Sequence, residues 1–234
     1  MKNEADYNSQ PINLLRTIGS MKLTLILIAV MAVAFAVSLA DLENAVNFYG
    51  LSGENFAARP YVIFTSIFLH GNLAHLLSNA FALFFFGAAV EAEVGRPRML
   101  LLFFAGALAG AAFALLYYPP HELAIGASAG IFALVGAGML LRPMDISFYP
   151  YFVPVPLALL GAGYILYNIY GFFFDAASNV SYVAHFGGTF VGLAYAFRHQ
   201  GIKKSMLVIA FSAFALYLLV AFLLKGSVTS TGLD

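Results

Sequence analysis

The chain has 234 residues, of which 62% are hydrophobic and 9% charged, against roughly 45–50% and 25% in an ordinary soluble domain. No soluble core of this size hides so much apolar side chain, so the composition predicts a polytopic membrane protein. A net charge of zero excludes a basic surface for nucleic acid, and the lack of cysteine excludes disulfides, thiolate metal sites and a cysteine nucleophile.

A bilayer core of about 30 Å needs about 20 apolar residues per helical span, and seven segments meet or approach that length. The runs are continuously apolar, without the alternation of a membrane barrel, so the expected class is all-α. After a leader at 1–20, the first span is 21–40; "VSLA" at its end allows a signal peptide, but the leader and the length of the run favour a retained helix. Residues 41–69 mix Gly50, Gly53 and Pro60 with Phe48, Tyr49, Phe56, Tyr61 and Phe64, the pattern of a structured loop in the membrane interface.

The second span, 70–92, opens with "HGNLAHLLSN", which places His70, His75 and Asn79 in its first turns, with His75 and Asn79 four apart on one face. Glu91 closes it as a structural anchor for nearby loop backbone. The third span is 98–118, and the fourth, 124–141, begins "AIGASAG", so that Gly126, Ser128 and Gly130 spell G-x-S-x-G. The fifth, 151–174, starts near Pro154 and Pro156 and is followed by Asp175. The sixth, 182–198, carries His185 and the G-x-x-x-G pair Gly188 and Gly192, and the seventh is 205–224.

With seven spans, Lys2, Arg16, Lys22, Arg96, Arg98, Arg142, Arg198, Lys203 and Lys204 fall on one side and only Arg59 and Lys225 on the other. The positive-inside rule then puts the N-terminus in the cytoplasm and the C-terminus outside, as in a cell-membrane protein. Spans two, four and six all run inward, so Ser128, His185, His75 and Asn79 come to one level beneath the outer surface. Polar groups at membrane depth mark function or pair with one another. A serine activated by a neutral histidine is a nucleophile, and His75, Asn79 and the Ser128 amide are donors for an oxyanion. Asp175, ten residues ahead of His185, is badly placed to orient it.

These residues carry a likeness to a known family. The pieces "FTSIFLHGNLAHLLSN", "GAAVE", "GASAG" and "AHFGGTFVG" occur in order and in the expected helices, and over residues 21–198 the chain resembles the rhomboid intramembrane serine proteases. The resemblance implies a six-helix core with the seventh span added at 199–234, and a catalytic pair of Ser128 and His185. It further implies an oxyanion hole served by His75 and Asn79, and single-span membrane proteins as substrates, cut within the bilayer without cofactor or metal. Phe132, where many members have tyrosine, is placed to pack beneath His185. Two departures stand out: Tyr61-Val62 replaces a Trp-Arg pair common in the interfacial loop, and Ala129 follows the serine where glycine is commoner.

Taken singly, the residues have plainer readings. Ser128 between small neighbours is a helix-packing position, as are Gly126, Gly130, Gly188 and Gly192; His70 braces the loop. Three other functions fit part of the pattern. An inactive relative would bind transmembrane helices without cutting them. A histidine-ligated metal or haem protein would use His70, His75 and His185 but leave Ser128 idle. A channel or transporter would show a repeat, and none is evident. Oligomeric state is not encoded in any pattern found.

Overall fold

The computed structural model describes residues 21–145, 155–175 and 180–230, with side chains described as far as Phe222. The expected leader at 1–20, Tyr151 and Pro154 therefore lie outside what is described, as does the side chain of Lys225. The regular structure among the described residues is all helical, apart from one isolated antiparallel bridge, Leu51 to Ala124. In chain order they form α1 (Lys22–Ser38), α2 (Leu42–Tyr49), α3 (Gly53–Ala58), α4 (Val62–Thr65), α5 (Leu73–Val94), α6 (Arg96–Tyr117), α7 (Ser128–Leu141), α8 (Leu157–Phe174), α9 (Tyr182–Gln200) and α10 (Ile202–Ser230). The helices α5, α6, α8 and the Ile202–Phe222 part of α10 are long and apolar enough to cross a membrane. The pair α1 and α2 also qualifies, bent by 118° at its break.

Helix α1 shows how such a chain divides its surface. Leu27, Met31 and Phe35, spaced by four, are buried against protein, while Ile26, Val30, Val33 and Val37 on the other side are exposed. In water that second face would be forbidden; in lipid it is the ordinary outer surface.

Helix α7 is the centre. Every residue from Ala129 to Leu141 is buried, enclosed by α6, α8, α9 and the π-helical stretch Leu83–Gly87 of α5. Its 14 residues span only about 21 Å at 1.5 Å per residue, and the residues just ahead of it are non-helical backbone tied to other segments. Ala124 exchanges both backbone hydrogen bonds with Leu51 (3.0 and 2.7 Å), and Gly126 N–H donates to the Ser66 carbonyl (2.8 Å). The fourth helix thus begins at Ser128 rather than at the expected 124. Irregular backbone is tolerated at membrane depth because these partners satisfy it.

Residues 41–69 are also more regular than a loop, containing three short α-helices and a 3-10 turn at Ser66–Phe68. Asn55 donates to the carbonyls of Asn47 and Gly50, Arg59 bonds Asn55, and the Arg59 guanidinium sits 4.0 Å over the Phe48 ring. Phe48, Tyr49, Tyr61 and Phe64 are left exposed. Helix α10, which holds the segment expected as the seventh span, starts at Ile202, separated from α9 only by Gly201 at φ +91°.

Candidate active site

Three helix beginnings build the site. Ser128 is the first residue of α7, and His185 lies in the first turn of α9, its N–H bonded to Ser181 O at 3.3 Å. Glycines let the two helices close together: a Cβ on Gly188 would run into the Ala129 carbonyl, and one on Gly192 into that of Ala133. Close approach then brings Ser128 Oγ to 2.7 Å from His185 Nε2, across 57 residues of sequence. Phe132, one turn along α7 from Ser128, stacks on the imidazole with centroids 4.3 Å apart and planes 12° apart. Thr189 donates its hydroxyl to the His185 carbonyl.

The third beginning is that of α5. Asn72 caps it, accepting from His75 N–H at 2.8 Å, which fixes the turn carrying His75 and, one turn on, Asn79. Both side chains converge on Gly126. A Cβ there would lie 2.7 Å from His75 Nε2 and 3.6 Å from Asn79 Nδ2, and its φ of +113° is closed to other residues in any case. Gly126 thus leaves room for both side chains beside the backbone just ahead of Ser128. Asn79 is buried, and its Nδ2 has no hydrogen-bond partner in the resting protein. The Ser128 N–H, at the first helical position, has no carbonyl of its own helix to bond.

His70 precedes α5 instead of lying within it. It is fully buried, bonded to the Phe68 carbonyl, and meets the His75 ring edge to face at 4.9 Å. Burial, with His75 alongside, holds its pKa down to about 4, so it is neutral. Glu91 lies 16 residues from His75 on the same helix, roughly 24 Å away. Its carboxylate accepts from the N–H groups of Leu23 and Thr24 and from the Thr24 hydroxyl, and pairs with Arg96 at 3.3 Å. Its partners are therefore the first turn of α1 rather than loop backbone, and it stands at the far end of the molecule from Ser128.

The composition of the site contains one residue absent from the sequence reading. His185 Nδ1 meets Asn168 Oδ1, from α8, at 2.7 Å, whereas Asp175 accepts from the Tyr182 hydroxyl at 3.0 Å. Asn168 is the sole amide in the run "LALLGAGYILYNIYGFFF", and a polar side chain at that depth is itself a signal. Both ring nitrogens of His185 thus have a hydrogen-bond partner within the protein, Ser128 on one and Asn168 on the other. Among the described residues no three His, Asp or Glu side chains gather as a metal site would require.

A Rhomboid domain model matches residues 57–202. The chain belongs to the Rhomboid family. The rhomboid match takes in α5 to α9 with Ser128, His185, His75, Asn79 and Asn168, and ends where α10 begins. Three rhomboid relatives illustrate the likeness. A mitochondrial RHOMBOID-like protein 12 of Arabidopsis thaliana is 31% identical over 62% of this chain and 48% of its own length. The Rhomboid protease GluP of Bacillus subtilis (strain 168) is 32% identical over 61% and 26%. The mitochondrial Rhomboid protein 1 of Saccharomyces cerevisiae (strain ATCC 204508 / S288c) is 30% identical over 63% and 44%. The alignments thus cover between a quarter and a half of these relatives' length. Family and apolar helices together make this an integral membrane protein of the rhomboid kind.

Proposed function

We propose that this protein is an intramembrane serine endopeptidase acting on transmembrane segments of other membrane proteins. The observation that carries the reading is the 2.7 Å contact between Ser128 Oγ and His185 Nε2, made across two helices in an apolar surround. His185 Nε2 takes the hydroxyl proton as Ser128 Oγ attacks the scissile carbonyl. The carbonyl oxygen, now negative, is received by the Ser128 N–H, Asn79 Nδ2 and His75 Nε2. The imidazolium returns its proton to the leaving amine, the acyl-serine forms, and water attacks by the same route in reverse. A peptide bond inside a regular helix is shielded, so the substrate is an apolar helix that unwinds at small residues.

Six helices (α1 and α5 to α9) make the catalytic core within 21–198, and α10 is an added seventh span within 199–234. The short helices α2 to α4, with their exposed aromatic rings, lie in the interface beside the site and against lipid headgroups. The lysine and arginine imbalance sets the N-terminus on the cytoplasmic side and the site near the opposite surface. The relatives named for mitochondria give no support to a cell-membrane address, and the reading is confined to an integral membrane location.

A fluorophosphonate probe tests the reading without a substrate. Purified full-length protein in detergent and in bilayers is expected to be labelled on Ser128, with His185→Ala and Ser128→Ala unlabelled. If the wild type takes no label in either medium, the protease reading falls and binding of transmembrane helices without cleavage takes its place.

A further inference from the structure

The hydrogen-bond pattern around Asn168 decides where the proton of His185 sits. Asn168 approaches the Tyr182 carbonyl at 3.2 Å, and a carbonyl only accepts, so the amide nitrogen is the atom on that side. Its oxygen is then the atom 2.7 Å from His185 Nδ1, and an acceptor there requires hydrogen on Nδ1. A neutral ring protonated at Nδ1 keeps its lone pair on Nε2, the nitrogen facing Ser128 Oγ. The opposite tautomer would set two lone pairs against each other at Nδ1 and aim an N–H at the hydroxyl that has to be deprotonated.

Asn168 is held to this task from both sides. It is 1% exposed on α8, and Gly171, one turn on, has no side chain where the Tyr182 ring sits; a Cβ there would collide with the ring. The Tyr182 hydroxyl donates to Asp175 at the end of the same helix. Tyr182 opens α9, three residues ahead of His185. One residue of α9 is therefore gripped by Asn168 and Gly171 of α8 and by Asp175, which follows it. The orienting acceptor rides on a different helix from either Ser128 or His185, and it stays in place only while α8 is docked.

We propose that Asn168 is a positioning residue that locks His185 in the Nδ1-protonated form, so that the base is assembled only when α8 is packed against α9. The inference rests on Ser128 and His185 being the reacting pair, but its central claim has a readout of its own. In full-length protein labelled with nitrogen-15 histidine, five histidines give signals, and His185 is identified by its loss in His185→Ala. The wild type is expected to show His185 protonated at Nδ1 and bare at Nε2. Asn168→Leu, of similar size and without a polar atom, is expected to shift the signal to the Nε2-protonated form or a mixture. It is also expected to slow fluorophosphonate labelling of Ser128 by roughly ten- to hundredfold.

Asn168→Asp keeps an acceptor at the same place and is expected to keep the Nδ1 proton. Should the leucine variant fail to fold, Asn168→Ala carries the comparison. An Asn168→Leu protein whose His185 stays protonated at Nδ1, with labelling within about twofold of wild type, overturns the proposal while leaving the serine and histidine pair intact. A wild type protonated at Nε2 overturns it as well. A tautomer that moves as expected in a protein that is never labelled supports the lock and instead removes the protease reading.

Discussion

Asn79 allows the proposed oxyanion hole to be tested at a single side chain. It is 6% exposed, and its Nδ2 bonds nothing in the resting protein, an arrangement that costs about 1–3 kcal/mol. An oxyanion beside Ser128 would supply the acceptor. Asn79→Ala is accordingly expected to slow Ser128 labelling by roughly 10²–10³ while leaving the thermal midpoint unchanged or raised, because it deletes a donor that the resting state leaves unpaired. A lower midpoint with wild-type labelling would make Asn79 a packing residue. Gly126→Ala should hurt both readouts, since the methyl meets His75 Nε2 at 2.7 Å and the backbone is held at φ +113°. The sequence showed that position as the first glycine of G-x-S-x-G and as a packing residue; its backbone angle depends on the distant Ser66 carbonyl that holds its N–H.

Helices α7 and α9 approach through small residues, and α1 is attached through Glu91. Gly188→Ala pushes a methyl into the Ala129 carbonyl, and overpacking of a tight contact costs about 1–3 kcal/mol. Its thermal midpoint should fall, and labelling with it, because the same contact sets the Ser128 to His185 distance. Glu91→Ala should separate the two measurements. It strands the Leu23 and Thr24 N–H groups and the Thr24 hydroxyl, at roughly 1–3 kcal/mol for each buried donor, so the midpoint falls. Yet the site lies some 24 Å along α5, and protein that remains folded should label Ser128 at the wild-type rate. Loss of labelling at temperatures where the variant is fully folded would tie α1 to the chemistry.

The arrangement of all the helices in the bilayer has its own test. The chain contains no cysteine, so single cysteines report accessibility without background. Tyr61 in the interfacial segment and Arg98 at the start of α6 are both exposed. Tyr61→Cys is expected to react with an impermeant maleimide from the outer side of sealed vesicles and Arg98→Cys only from the inner side. Reaction of both from one side would break the proposed topology and with it the placement of Ser128 near the outer surface.

By itself the sequence determined the solvent, the all-helical class and which small set of polar residues stands out against it. Those properties are local: apolar runs of span length, a charge imbalance at their ends, and glycines repeating on one helix face. Ser128, His185, His75 and Asn79 were conspicuous because lipid makes every polar side chain expensive. Tertiary structure alone decided where α7 begins, since Ala124 and Gly126 take their backbone partners from Leu51 and Ser66, far along the chain. It likewise decided that Glu91 caps α1, 67 and 68 residues away, and that Asn168 rather than Asp175 faces His185. Each of these is a hydrogen bond whose partner is chosen by how helices pack, and no local pattern records that choice.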